Sequence, residues 1–82
     1  MKEIRYRPAA VRALLRMPGK TALRIKGKID LYAADPNSQA NNVKSMSGQD
    51  GIRLRVGDWR VIMLEDEVLE IVDIGPRGTI YG

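Results

Sequence analysis

Cysteine, histidine and phenylalanine are all missing from this 82-residue sequence, and one tryptophan and three tyrosines supply every aromatic ring. Without cysteine there is neither a disulfide framework nor a thiolate metal site, so a small fold must stand on its core or on a partner. Without histidine, no side chain has an ordinary pKa near neutrality, and the usual acid–base group of a hydrolytic site is lacking. No apolar run approaches the ~18–20 residues of a membrane span, and the opening Met1-Lys2-Glu3-Ile4-Arg5-Tyr6-Arg7 is too charged for a signal peptide. A soluble, cytoplasmic protein with no membrane partner is expected, folded as a single domain over residues 1–82 that removes only roughly 60% of its unfolded surface from water.

Acid is scarce where base is plentiful. Residues 1–60 hold thirteen of the fourteen Lys and Arg against five acids, a balance of +8, whereas residues 61–82 hold Arg77 against five acids, a balance of −4. The basic part is expected to meet a polyanion.

The stretch Gly51 to Leu64 organises the chain. Ile52, Leu54 and Val56 alternate with Arg53 and Arg55, Gly57-Asp58 supplies a turn, and Trp59 to Leu64 resumes a β-rich run. A two-residue loop places Val56 opposite Trp59, Arg55 opposite Arg60, Leu54 opposite Val61 and Arg53 opposite Ile62. Arg53, Arg55 and Arg60 then share one face. Like charges facing each other across a sheet are destabilising on the ~0.2–1 kcal/mol scale of cross-strand pairs, so the arrangement makes sense if it serves an anion, phosphate above all.

Lys2 to Arg7 reads as a short strand ended by Pro8. Val11, Leu14 and Leu15 then predict a helix of two to three turns with Arg12 and Arg16 outside, stopped by Pro18-Gly19. A second helix, from about Lys20 to Ala34, carries Ala22, Ile25, Ile29 and Tyr32 or Ala33 on one stripe and ends at Asp35-Pro36. Ser38 to Asp50 reads as a polar loop with at most a short strand near Val43, and it contributes Lys44. After the acidic turn Glu65-Asp66-Glu67, a strand from Val68 to Ile74 is broken by Gly75-Pro76-Arg77-Gly78, leaving a tail with Tyr81. The expected fold class is α+β: a short N-terminal strand and a two-helix hairpin packed on one face of a small antiparallel β-sheet. Leu54, Val56, Trp59, Val61 and Met63 should meet the helices and leave the arginine face open, although Ile62 and Leu64 also fall on that face, to be covered by the C-terminal tail or a partner.

The run Gly51-Ile52-Arg53-Leu54-Arg55-Val56-Gly57-Asp58-Trp59-Arg60-Val61-Ile62 is followed by an acidic turn, an apolar strand, Ile74-Gly75-Pro76-Arg77 and Tyr81. With the order of elements before it, this resembles the RelE/ParE superfamily of bacterial toxins over essentially the whole chain, the RelE branch more than the ParE branch. The resemblance implies the toxin of a type II toxin–antitoxin pair that enters the ribosomal A site and cleaves mRNA as a metal-independent endoribonuclease, with no cofactor, inhibiting translation and held in a hetero-oligomer by its cognate antitoxin. The ribose 2′-hydroxyl attacks the adjacent phosphate, so cations must neutralise the transition state while one group accepts the 2′-proton and another protonates the 5′-oxygen.

Residue by residue, the resemblance matches Arg60 and Arg77 to catalytic clamps, Tyr81 to a proton donor or stacking partner, and Arg53 to a contact with the RNA backbone, to which the basic face itself adds Arg55 and the polar loop Lys44 as further RNA-binding candidates. It departs from the family at Gly51, where well-known members carry lysine, and at Pro76, where many carry histidine. Lys44, Tyr81, Asp50 and Asp58 remain as proton acceptors, since arginine stays protonated. Simpler roles are packing for Tyr81 and Trp59, solvation for Lys44, and pairing of Arg55 with Glu70 or Asp73. The alternatives for the whole protein are a ParE-like toxin acting on DNA gyrase without nuclease chemistry, and an antitoxin-binding homologue that has lost catalysis.

Overall fold

A computed structural model describes residues 2–46 and 51–78. Strand β1 (Glu3–Tyr6) leads into helices α1 (Pro8–Arg16) and α2 (Gly19–Ala34), a 3-10 segment at Pro36–Asn42, and strands β2 (Val43–Ser45), β3 (Ile52–Val56), β4 (Trp59–Glu65) and β5 (Val68–Pro76). The strands form one sheet in the order β1-β5-β4-β3-β2.

The β3–β4 hairpin has the register that alternation and a Gly57-Asp58 loop demand: Val56 faces Trp59, Arg55 faces Arg60, Leu54 faces Val61 and Arg53 faces Ile62. Gly57 holds φ +57°, the left-handed conformation that the turn needs and glycine adopts without a Cβ penalty. One sheet face is core. Leu54, Val61 and Met63 are fully buried and Val56 nearly so, and they meet Ile25 and Ile29 of α2 together with Leu69 and Ile71 of β5. Tyr32 closes this layer and donates its hydroxyl to Glu65 Oε1 at 2.6 Å, tying the end of α2 to the end of β4.

Four expectations change. The sheet is not antiparallel throughout, because β1 pairs with β5 in parallel, Glu3 opposite Val68 through Tyr6 opposite Ile71. Strand β5 is not broken at Gly75: it runs on, with Gly75 opposite Arg60 and Pro76 opposite Trp59. That end of β5 lies beyond the short β1 and has a ladder only with β4, so a proline lacking N–H is tolerated there. The segment after α2 is not a plain loop but a 3-10 turn packed around Gln39, which is 5% exposed. The face of α1 is also rotated. Ala10 and Met17 are buried and Ala13 and Leu14 pack on the core, while Val11 and Leu15 are 41% and 79% exposed. Small Ala10 and Ala13 at i and i+3 let α1 lie close on β5, which turns the branched side chains outward.

Neither helix has a side-chain cap or an acid in its first turn. Their stability therefore comes from packing and from prolines that set their boundaries, with Ala22 N donating to Pro18 O at 3.0 Å and Asp35 N to Leu31 O at 2.8 Å. No helix is long and apolar enough to cross a membrane among the described residues.

Candidate nucleic-acid interface

Towards the hairpin, the face of the sheet turned away from the helices carries two rows of side chains, a third row, Leu64–Glu70–Arg5, lying towards β1. The first runs Lys44–Arg53–Ile62–Asp73 across β2, β3, β4 and β5. The second runs Arg55–Arg60–Gly75, so no side chain stands beside Arg60 on the β5 side. Because β5 continues to Pro76, Arg77 follows directly, and its backbone N–H donates to Asp58 O at 2.7 Å. This pins the end of β5 to the hairpin turn. Arg53, Arg55, Arg60 and Arg77 thus converge on one end of one face. Ile62, on that same face, is only 4% exposed between Arg53 and Asp73.

Arg60 is the centre of the cluster. It is half-buried, and its Nη1 donates to Gly57 O and Trp59 O, both at 3.0 Å, so the guanidinium is fixed by carbonyls of its own turn. Its pKa is lowered, first by desolvation and then by Arg77, Arg55 and Arg53 in that order, against an opposing pull from Asp58. Arginine stays charged through such a shift, so burial and three neighbouring guanidiniums bear on a cation that keeps its charge.

Arg55 is exposed and donates from Nη2 to Asn42 Oδ1 at 3.2 Å. Asn42 in turn donates from Nδ2 to Oε1 of the buried Gln39 at 3.3 Å. The polar segment therefore aims Arg55 through a relay of amides. The expected pairing of Arg55 with Glu70 or Asp73 is replaced: Glu70 pairs with Arg7, and Asp73 accepts the N–H of Ile74 at 2.8 Å.

Two hollows open on this surface. A smaller one of about 110 Å³ is lined by Asn41, Asn42, Lys44, Arg53, Arg55 and Arg60. A larger one of about 550 Å³ shares Asn42, Arg55 and Arg60 with it and adds Arg77, Asp58 and two residues of α2, Arg24 and Lys28. Sequence reasoning brought Lys44, Arg53, Arg55, Arg60 and Arg77 to this place, but it missed Arg24, Lys28 and the relay through Gln39 and Asn42. The available signal for the first two was their i, i+4 spacing, which puts both on one face of a helix.

Of the proton acceptors considered, Asp58 lines the larger hollow and Lys44 the smaller. Tyr81 and Asp50 lie outside the described residues. No cluster of carboxylates that could hold a metal ion occurs among the described residues. Chemically, the arrangement can bind and stabilise negative charge on phosphate.

Fold and site together define a small α+β domain whose sheet presents a polycationic hollow at one end of a β-hairpin. A family model, the ParE toxin of the type II toxin–antitoxin system parDE, matches residues 4–81, and the chain belongs to this family, a type II toxin of the RelE/ParE superfamily. The toxin of the archaeal RelE–RelB complex from Pyrococcus horikoshii OT3 superposes with a TM-score of 0.79 at 27% identity, covering 95% of this chain and 97% of that one. The RelB–RelE antitoxin–toxin complex from Methanococcus jannaschii gives 0.69 at 24% identity, covering 94% of each chain. The intact E. coli RelBE complex gives 0.74 at 15% identity, covering 93% and 96%, a likeness of fold alone. No curated protein matches the sequence.

Proposed function

We propose that this toxin is a ribosome-dependent mRNA endoribonuclease. The observation that supports it best is Arg60, held rigid by two carbonyls among Arg53, Arg55 and Arg77 on an open face. The 2′-oxygen forms a bond to phosphorus as the bond from phosphorus to the 5′-oxygen breaks, leaving a 2′,3′-cyclic phosphate and a 5′-hydroxyl. Negative charge builds on the non-bridging oxygens, and Arg60 and Arg77 neutralise it. Preorganised donors of this kind are each worth about 10²–10³ in rate. Arg53, Arg55 and Lys44 grip the flanking backbone, and Tyr81 protonates the leaving oxygen. The 2′-proton passes to a group other than arginine, for which Asp58 on the larger hollow and Lys44 on the smaller are the candidates among the described residues.

The partner that restrains the toxin is a cognate antitoxin, as in the RelB complexes of the structural relatives. It lays an acidic, amphipathic segment over the helical hairpin and the basic face, where exposed Leu15 and Leu23 and the arginine cluster offer apolar and charged contacts.

The test is purified toxin in a translating extract, with mRNA mapped by primer extension. Cuts that disappear with Arg60→Ala or Arg77→Ala support the nuclease. The match to the ParE family favours one second reading, inhibition of DNA gyrase. Intact mRNA together with blocked supercoiling would replace the first reading with that one.

A further inference from the structure

The larger hollow holds more positive charge than one phosphate can neutralise. Arg24, Lys28, Arg55, Arg60 and Arg77 line it against the single carboxylate Asp58. A phosphodiester over Arg60 supplies one negative charge, and Arg60 lines both the hollow of the α2 cations and the hollow of Lys44 and Arg53. Its volume of about 550 Å³ falls inside the ~300–1,000 Å³ of small-ligand sites, whereas the 110 Å³ hollow beside it suits an ion-sized group. The Arg55–Asn42 hydrogen bond joins two residues that line both hollows, and so stands where they meet.

The turn is shaped to admit α2. A Cβ at Gly57 would stand 3.2 Å from Arg24 Nη1 and 3.3 Å from Nη2, closer than ordinary van der Waals contact. The Arg24 guanidinium thus settles against the bare backbone of the hairpin turn. Lys28, one helical turn further on, is half-buried on the same side.

Resting on the nuclease reading above, we propose that Arg24 and Lys28 form a second phosphate seat. It holds the nucleotide next to the one whose phosphate lies over Arg60, so the RNA strand runs from Lys44 and Arg53, past Arg60, to α2. Arg24 and Lys28 are positioning residues: they fix the strand and take no part in bond making.

Calorimetric titration of the whole protein with 2′-O-methylated, uncleavable RNA tests this. A trinucleotide carries two phosphodiesters and a dinucleotide one. Arg24→Ala/Lys28→Ala is expected to weaken the trinucleotide on the order of tenfold at low salt and to reduce the slope of log K against log salt by about 0.7, the share of the one single-strand phosphate contact removed. The dinucleotide should bind the variant as it binds the wild type, and Arg24→Lys/Lys28→Arg should restore the trinucleotide. Arg60→Ala should weaken both ligands. If the double alanine variant keeps the wild-type affinity and slope for the trinucleotide while Arg60→Ala loses both ligands, the second seat is wrong and the nuclease reading stands. Equal loss of both ligands would reduce Arg24 and Lys28 to a diffuse field and overturn the seat. Wild-type protein that binds neither ligand would overturn the seat, while the nuclease reading is decided separately by mRNA cleavage in the translating extract. Thermal melts of the variants report whether the fold is kept.

Discussion

The two ends of this sheet handle charge in opposite ways. Beside β1 and the acidic turn, cations find carboxylates: Lys2 pairs with Glu65 at 3.3 Å, Arg5 with Glu3 at 2.6 Å, and Arg7 with Glu70. At the hairpin end, Arg55 faces Arg60 across the ladder, and the two donate their hydrogen bonds to the neutral oxygens of Asn42, Gly57 and Trp59. Both ends are built from the same residue types on the same sheet. An end whose charges are balanced internally contributes to folding. Arg55 and Arg60, oriented by uncharged acceptors, keep their field for something that arrives.

The largest consequence is a separation of stability from activity at Arg60. Removing it as Arg60→Ala should lower mRNA cleavage by about 10²–10³. The same change should leave stability unaltered or raise it by no more than the ~0.2–1 kcal/mol of a relieved like-charge pair. Urea denaturation alongside the cleavage assay checks both. A variant that loses activity and also unfolds more readily by several kcal/mol would make Arg60 a structural residue and erase the contrast between the two ends.

How much of this contrast could be seen in the sequence depends on the range of the signal. The hairpin register was legible because alternation of Arg53, Leu54, Arg55 and Val56 and the Gly57-Asp58 turn are local. The buried face of α2 was legible for the same reason, through Ile25, Ile29 and Tyr32. The parallel pairing of β1 with β5 was not, since its partners lie more than sixty residues apart and no local pattern specifies direction. The path of β5 through Gly75 and Pro76 was hidden because those residues ordinarily signal a break, and only the missing neighbour on that side makes them acceptable. On α1 two faces of similar apolarity competed, and close approach through Ala10 and Ala13 decided between them. Arg24 and Lys28 were missed because charges on a helix read as a solvated surface until the fold brings Gly57 against them. Gln39 and Asn42 were missed because a short polar stretch looks like a loop whether or not it aims an arginine.

A smaller effect sharpens the paired end. Burial, then the hydrogen bond and charge of Glu65, raise the pKa of Tyr32 above its ordinary 10, and burial and Asp30 raise that of Tyr6. The native state therefore keeps these protons where the unfolded chain has released them, at pH above about 10. Their contribution to stability is complete below that pH and declines as pH rises through it. Tyr32→Phe should cost about 1.5–3 kcal/mol at neutral pH, the scale of a hydrogen bond to a charged group. It should also flatten, without abolishing, the decline between pH 9 and 11, since Tyr6 remains. Denaturation midpoints across that interval that fall as steeply in the variant as in the wild type would show that the Tyr32 hydroxyl does not hold α2 to β4.

The smallest effect tests the contrast most directly, through salt. Salt weakens attraction at the paired end and repulsion at the hairpin end, so the two responses oppose each other in the wild type. Glu70→Gln takes away the partner of Arg7. The pair is partly exposed, so the loss should be about 0–1 kcal/mol at low ionic strength. It should vanish near 1 M salt, where the screening length falls to roughly 3 Å. With one of three attractions gone, the repulsion among Arg55, Arg60 and Arg77 makes up a larger share of what salt can change. The melting temperature of Glu70→Gln should therefore climb more steeply with sodium chloride than that of the wild type, whereas Arg60→Ala should climb less steeply. Parallel salt curves for all three proteins would mean that the two ends carry their charge in the same way, and the basic end would then hold no unbalanced field for a nucleic acid to neutralise.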